Sequence, residues 1–316
     1  MKRAGLKEAK RIVVKVGTST ITYPTGKMNL SRMENLVREL TDLANQGREI
    51  LLVTSGAIAV GMDRMGKKKR PKAIPERQAL AAVGQGALMH AYGSLFAAYG
   101  KTAGQVLLTR ENSLRHHQYT NSRNALKAML AMGVLPVINE NDAVAVDEVK
   151  IGDNDTLSAT VATLVDADVL VLLSDVDGLY TANPQTDTAA RLISEVREIT
   201  PEIEALAGGA GSAAGTGGMR TKIAAAKMAM SAGVTMVIAR GDADGVIRAI
   251  LRGEAVGTLF PAKEAHLKAR KSWLAFGRHI AGDLVVDDGC AAAMLTGGKS
   301  LLAAGLVSAE GDFGER

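Results

Sequence analysis

The chain has 316 residues, of which 47% are hydrophobic, 22% are charged and only 7 are proline. This composition is that of a globular protein with a sizeable core, and it excludes a largely disordered chain. The single cysteine, Cys290, excludes an intramolecular disulfide and a cysteine-based zinc site. Because the sequence contains no apolar run of about 18 residues and no signal-peptide pattern, it predicts a soluble cytoplasmic protein without a membrane span.

The formal charge of +5 comes from 38 basic and 33 acidic side chains and is unevenly distributed. Residues 268–316 carry equal numbers of basic and acidic side chains, so the whole excess lies in residues 1–267. A mild excess suits small anionic substrates better than nucleic acid. The basic run at 67–70 is predicted to be a solvated loop, since no aromatic residue interrupts it.

Short apolar runs alternate with helical patterns up to about residue 258. The apolar runs predict strands at 11–17, 49–53, 104–109, 134–138, 168–173 and 234–239. One helix is predicted to begin at a capping box formed by Ser31 and Glu34 and to end before Gly47. Further helices are predicted at 76–98, 121–132, 155–165, 219–232 and 243–252. This alternation predicts an α/β fold whose sheet is covered by helices on both faces.

Polar residues follow four of the predicted strands: Gly17-Thr18-Ser19, Ser55-Gly56, residues 139–142, which are predicted to form a loop, and Ser174-Asp175. Ligands of α/β sheets bind beyond the carboxyl ends of the strands. The positions therefore indicate an enzyme site, although they do not identify a reaction.

Two lysines are placed where they could contact a phosphate. Lys15 interrupts an apolar strand, where a charge is costly unless it is paired; the alternative is an edge-strand residue with its ammonium in solvent. Lys222 lies in the first turn of a predicted helix that follows the Gly/Ala-rich stretch 207–218. Such a junction directs backbone N–H groups at an anion, and the alternative is a plain surface loop.

The segments 139–142 and 152–155 concentrate carboxylates and amides. Their spacing does not fit an EF-hand. They favour recognition of an amino-acid head group, because carboxylates accept from an ammonium and amides donate to a carboxylate. A metal site and a pair of plain turns remain as alternatives.

Five motifs together resemble the glutamate 5-kinase family of the amino-acid kinase superfamily. They are KVGTS at 15–19, TSGAI at 54–58, PVINENDAVA at 136–145, GDND at 152–155 and TGGMRTK at 216–222. The first two are typical of the whole superfamily, and the last three in one chain are specific to glutamate 5-kinases. The resemblance implies a three-layer αβα sandwich of the amino-acid kinase type at 1–260, a linker at 261–272 and a partial, β-rich, PUA-like module at 273–316.

The resemblance also implies a reaction: ATP, with Mg²⁺, phosphorylates the γ-carboxylate of L-glutamate to L-glutamyl 5-phosphate, the first step of proline biosynthesis. It implies a homo-oligomer, either dimer or tetramer, and feedback inhibition by L-proline. Neither nucleic acid nor a membrane is expected as a partner.

By the same resemblance, Lys15 and Lys222 contact the phosphates of ATP, and Asp155 positions both lysines. Ser55, Asp142 and Asn154 are expected to hold glutamate. The expected ATP-binding residues are Lys15, Gly17, Thr18, Ser174, Asp175, Thr216, Gly217, Gly218, Met219, Arg220, Thr221 and Lys222.

Other functions remain open at this point. Within the superfamily they are those of N-acetylglutamate kinase, UMP kinase and aspartokinase, which the segments 139–145 and 152–155 disfavour. From a different class comes an RNA-binding PUA protein with an inactive kinase domain, which the neutral C-terminal segment disfavours.

Overall fold

The computed structural model describes residues 1–109, 116–145, 154–184, 186–208, 218–263, 282–297 and 299–311. The chain forms two compact units, Met1–Phe276 and Gly277–Arg316. The finer division into a kinase domain at 1–260, a linker at 261–272 and a module at 273–316 stays a prediction. Among the described residues, no helix combines the length and the apolar character needed to cross a membrane.

The first unit is built on a seven-stranded sheet. In chain order its strands are β1 (Arg11–Val16), β2 (Glu49–Val53), β3 (Ala103–Leu108), β4 (Leu135–Glu140), β5 (Val169–Ser174), β6 (Thr235–Arg240) and β7 (Thr258–Phe260). Across the sheet they lie in the order β3-β4-β2-β1-β5-β6-β7. All neighbouring strands are parallel except β6 and β7, so the carboxyl ends of β1 to β6 lie at one edge.

Helices cover both faces of this sheet. In chain order they are α1 (Thr18–Ile21), α2 (Leu30–Asn45), α3 (Ala57–Arg64), α4 (Ile74–Ala98), α5 (His116–Ala131), α6 (Asn154–Leu164), α7 (Pro201–Leu206), α8 (Met219–Ser231) and α9 (Val246–Leu251), after a 3₁₀ turn at Arg3–Glu8. Successive residues of β1 belong to two separate cores, with Val13 in one and Val14 in the other. Leu157 of α6 and Ile223 of α8 pack in the first core, and Leu88 of α4 packs in the second. The predicted α/β class, with its sheet between two helical layers, is confirmed.

Two local predictions are wrong. The α2 helix begins at Leu30 rather than at Ser31, and its N-cap is Asn29, whose side chain accepts a hydrogen bond from the Arg32 N–H. An antiparallel bridge between Thr22 and Met28 fixes the approach to this cap. The presumed loop at 139–142 also begins later than expected, because Asn139 and Glu140 are buried residues of β4.

The second unit contains the hairpin of β8 (Gly282–Val286) and β9 (Leu306–Gly311), with helix α10 (Asp288–Leu295) between the two strands. Asp287 caps α10 by accepting a hydrogen bond from the Cys290 N–H. Among the described residues of this unit, no side chain is fully buried. The resemblance of the unit to a PUA domain stays a prediction.

Helices α3 and α4 cross where two glycines permit close backbone contact. A Cβ atom on Gly84 would lie 1.8 Å from the Ala57 carbonyl oxygen, and one on Gly61 would lie 1.9 Å from the Leu80 carbonyl oxygen. Only glycine fits at such a spacing. Since α3 begins directly after Gly56, this crossing holds the polar turn that follows β2.

We expect Gly84→Ala to lower the free energy of unfolding by about 1–3 kcal/mol, because the new methyl group must push the two helices apart. Gly86→Ala, on the same helix, is the control, since an added Cβ there meets nothing within 4 Å. It should stabilise the protein by about 0.5–1 kcal/mol through helix propensity. Urea denaturation of both variants checks the pair, and equal stabilisation by both would contradict the close crossing.

Candidate active site

The site lies at the edge where the parallel strands end. In the sheet, Lys15 of β1 pairs with Val53 of β2 on one side and with Leu172 of β5 on the other. The turn after β2 is joined to β4 by a hydrogen bond from the Thr54 N–H to the Ile138 carbonyl. The polar residues that follow these strands are therefore brought to one edge, as the sequence predicts.

A buried ion cluster joins β1, α6 and α8. The Lys15 Nζ atom lies 2.5 Å from Asp155 Oδ1, and the Lys222 Nζ atom lies 3.1 Å from Asp155 Oδ2. The Thr221 hydroxyl donates to Asp155 Oδ2 at 2.9 Å. Lys15 is 7% exposed, Lys222 is 5% exposed and Asp155 is fully buried. The alternative of an edge-strand lysine with a solvated ammonium is wrong, because β1 lies between β2 and β5.

The two lysines control the charge state of Asp155. Burial by itself raises the pKa of this carboxyl, but the charges and hydrogen bonds of Lys15 and Lys222 outweigh it and hold the pKa below its ordinary value of 3.8. Asp155 is therefore a carboxylate at neutral pH. Among the described side chains of the cluster, two ammonium groups face one carboxylate, in a place where water screens charge little. The cluster is suited to attract and hold an anion.

Beside the ion cluster, Asn154 binds the turn after β2. Its Nδ2 atom lies 2.6 Å from the Thr54 carbonyl oxygen, 2.8 Å from Ser55 Oγ and 2.8 Å from Asn139 Oδ1. The structure thus brings together Ser55 and Asn154, two of the residues predicted to bind the substrate glutamate. Asn139 was not among the predicted site residues, although it lies in the NENDAVA segment that carries the resemblance.

Asp142, the third residue predicted to bind the substrate glutamate, is half-buried in the turn that follows β4. The N–H groups of Val144 and Ala145 close this turn by donating to the Asn141 carbonyl. Since β4 pairs with β2, Asp142 follows the strand next to the one that leads into Ser55.

The predicted nucleotide residues occupy three places on the same edge. Gly17 and Thr18 begin α1 directly after β1, and the Ser174 hydroxyl at the end of β5 donates to Asp175 Oδ1 at 3.0 Å. Gly218 is the N-cap of α8, whose first turn holds Met219, Arg220, Thr221 and Lys222. Thr216 and Gly217 lie outside the described residues, as do Gly152 and Asp153 of the GDND motif.

Sequence reasoning missed a cluster that ties the loop after β5 to the end of β6. The Arg240 Nε atom lies 2.8 Å from Asp177 Oδ1, and the Tyr180 hydroxyl donates to Asp177 Oδ2 at 2.9 Å. The hydrogen bond from Arg240 lowers the pKa of Asp177. The position of these residues in the sequence could have revealed the cluster, since Asp177 and Arg240 lie close to the carboxyl ends of two consecutive predicted strands. The cluster supports the loop that begins at Ser174-Asp175.

We expect Asp155→Asn to lower the free energy of unfolding by about 3–5 kcal/mol, the scale for removing one partner of a buried ion pair. The variant leaves two buried ammonium groups without their carboxylate. Asp166→Asn is the control, because Asp166 contacts Arg123 and Lys127 at 2.6 and 2.7 Å but is half exposed. Its loss should cost less than about 1 kcal/mol. Equal losses in urea denaturation would contradict a special role for the buried cluster.

The difference in unfolding free energy between the wild type and Asp155→Asn has a predictable pH dependence. The pKa of Asp155 is lower in the folded than in the unfolded chain, so its stabilisation is complete above the ordinary pKa and is lost as the pH falls through the folded value. The stability difference between wild type and Asp155→Asn should be constant from neutral pH to about pH 5 and shrink only below it. A difference that already shrinks between pH 8 and pH 6 would contradict the lowered pKa.

Comparison with known proteins identifies the family. Residues 10–240 match the model of the amino acid kinase family. A glutamate 5-kinase of Moorella thermoacetica is 55% identical over 311 residues, which span 98% of this chain and 82% of that protein. The glutamate 5-kinase of Carboxydothermus hydrogenoformans is 54% identical over 310 residues, with the same shares covered. A crystal structure of UMP kinase from Bacillus anthracis shares the fold, with a TM-score of 0.56 at 17% identity over 82% of this chain and 98% of that one. The chain belongs to the amino acid kinase family and, within it, to the glutamate 5-kinases.

Proposed function

We propose that the protein transfers the γ-phosphoryl group of ATP to the γ-carboxylate of L-glutamate, giving L-glutamyl 5-phosphate for the first step of proline biosynthesis. The observation that carries the proposal is the buried cluster of Lys15, Asp155 and Lys222 beside the contact of Asn154 with Ser55. Glutamate 5-kinases at 50% identity or more favour glutamate over acetylglutamate, UMP or aspartate as the acceptor. They equally favour a kinase over an RNA-binding protein.

The chemistry needs positive charge more than it needs a base. The acceptor carboxylate is already ionised at neutral pH, so no group has to remove a proton from it. The obstacle is the approach of one anion to another and the charge that develops on the transferred phosphoryl group. We assign Lys15 and Lys222 to the phosphate oxygens of ATP. Asp155 keeps both ammonium groups in place before the substrates arrive.

On the acceptor side, we assign Ser55, Asn154 and Asp142 to glutamate. The hydroxyl of Ser55 is suited to a carboxylate of the substrate, whereas the amide oxygen of Asn154 and the carboxylate of Asp142 are acceptors suited to its ammonium group. The proposal is supported by the direct contact of Ser55 with Asn154, at the end of the strand that neighbours Lys15.

On the donor side, we assign ATP to the residues that surround the ends of β1 and β5 and the beginning of α8. They are Gly17, Thr18, Ser174, Asp175 and the segment 216–222. The short distance from Gly17 to the cluster supports this assignment, since a Cβ atom on Gly17 would lie 3.9 Å from Lys15 Nζ. A side chain at that position would occupy the space beside the ammonium group.

We place no Mg²⁺ ligand on the protein. Among the described residues, no three histidine, cysteine, aspartate or glutamate side chains form a group that could hold a metal ion. Mg²⁺ prefers oxygen ligands and commonly binds through substrate phosphates, so we propose that it arrives as the ATP complex. When bound, it would neutralise charge on the β- and γ-phosphates.

Three further properties are proposed from the family alone: a homo-oligomer, inhibition by L-proline at the glutamate site, and a cytoplasmic location.

One assay tests the function. ATP consumption with Mg²⁺ is measured with L-glutamate, with N-acetyl-L-glutamate and with UMP, each in the presence and absence of free L-proline. We expect turnover with L-glutamate, and preferential turnover with either other acceptor would overturn the proposal.

Lys15→Ala and Lys222→Ala are each expected to lower kcat by roughly 10²–10³, the scale for losing one transition-state stabiliser. Lys227→Ala is the control: it removes a lysine of the same helix α8 that is 61% exposed and paired with Glu204 on the surface. It should leave kcat unchanged. Near-normal turnover in both site variants would reject their assignment to the phosphates.

Asp142→Ala is expected to raise the KM for L-glutamate more than the KM for ATP, because the ammonium group of glutamate loses its carboxylate partner. Initial rates measured while each substrate is varied in turn separate the two constants. A larger rise in the KM for ATP would move Asp142 to the nucleotide side of the site.

A further inference from the structure

A line of amide side chains connects helix α4 with the glutamate side of the site. The Gln85 Oε1 atom accepts from Asn139 Nδ2 at 2.8 Å, and Asn139 Oδ1 accepts from Asn154 Nδ2 at 2.8 Å. Asn154 Nδ2 in turn lies 2.8 Å from Ser55 Oγ. Gln85 is 9% exposed and Asn139 only 1%. Four polar side chains from separate parts of the chain thus form one network, buried at Gln85 and Asn139 and half-buried at Asn154 and Ser55.

Two backbone groups determine which end of each amide faces its neighbour. The Glu140 N–H, which can only donate, lies 2.9 Å from Asn139 Oδ1. The Thr54 carbonyl oxygen, which can only accept, lies 2.6 Å from Asn154 Nδ2. With these ends fixed, the nitrogen of Asn139 must point to Gln85, and Gln85 must present its oxygen.

The fixed polarity extends to the predicted substrate residues. Ser55 Oγ accepts from Asn154, so the proton of its hydroxyl is available to another acceptor. A substrate carboxylate is an acceptor of this kind. The direction of the network therefore suits Ser55 to donate to an anionic group.

We propose that Gln85 is a positioning residue for the acceptor substrate: by holding the amide of Asn139, it orients Asn154 and Ser55 towards glutamate. This inference rests on the proposed function. Gln85 lies on α4, which packs in the second core, whereas Asn154 begins α6, which packs in the first. The network therefore couples the two helical layers at the edge of the sheet.

An apolar residue at position 85 would leave Asn139 Nδ2 buried without its acceptor. Turning the amide over would not relieve this, because its nitrogen would then face the Glu140 N–H and Asn154 Nδ2, which are both donors. Either outcome weakens the hold on Asn154, and a buried polar group without a partner is costly.

The test compares Gln85→Met with Gln85→Glu. Methionine has a similar length and no strong acceptor, whereas glutamate restores an oxygen at the same place. We expect Gln85→Met to raise the KM for L-glutamate by about tenfold, the equivalent of one hydrogen bond, and to change the KM for ATP by less than about twofold. Gln85→Glu should return the KM for L-glutamate towards the wild-type value. Gln85→Asn, which withdraws the amide by one methylene group, serves if Gln85→Met does not fold.

Leu88→Val is the control for a merely structural effect, because Leu88 is fully buried on the same helix and takes no part in the network. It should lower Tm without raising the KM for L-glutamate. Three results would overturn the inference about Gln85 while leaving the proposed function intact. They are an unchanged KM for L-glutamate in Gln85→Met, an equal rise in its KM values for L-glutamate and ATP, and the same rise in the KM for L-glutamate in Leu88→Val. A wild-type enzyme that does not phosphorylate L-glutamate would overturn the proposed function, and this inference with it.

Discussion

One carboxylate held between two ammonium groups is the interaction on which the site depends. Asp155 is fully buried, and the charges and hydrogen bonds of Lys15 and Lys222, which face it from two other elements, favour its ionised form there. The cost of burying any one of these charges is thus met only when β1, α6 and α8 are all in place.

The positive charge of the cluster suits the proposed reaction, in which two anions must be brought together. An acceptor carboxylate and a triphosphate repel each other, and by the proposed assignment the two lysines would offset this repulsion at the point where the sheet ends. Asp155 already holds both ammonium groups in the structure, which by the same assignment would limit the reorganisation needed when the substrates bind. The Arg240 and Asp177 pair supports the neighbouring loop in the same way, but nearer to the surface.

Beside the ion cluster, Ser55 and Asn154 are held by neutral groups. The amide network runs through Gln85, Asn139 and Asn154, and the glycine crossing of α3 with α4 holds the turn that contains Ser55. Amides have a direction, since one end donates and the other accepts, so a network of them specifies orientation without adding charge. The edge of the sheet thus combines an ion cluster with a neutral, directional amide network.

The sequence alone was sufficient for the class of fold and for the edge of the sheet at which the candidate site lies. Apolar runs and helical spacing depend on neighbouring residues, and they predicted six of the strands and the layered α/β arrangement correctly. A lysine inside an apolar strand also predicts a partner of opposite charge, because burying an unpaired charge is costly. The start of α2 could not be located in the same way, since Asn29 and Ser31 are both good caps and the bridge between Thr22 and Met28 selects between them.

Only the tertiary structure decided which residues meet. Asp155 is 140 positions from Lys15 and 67 from Lys222, and the order of the strands brings them together. Asn139 was predicted to lie in a loop because it is polar, yet it is buried in β4, where Gln85 and Asn154 satisfy its amide. Local patterns reveal that a polar group needs a partner. The partner itself is fixed by long-range strand pairing and helix packing, which no local pattern records.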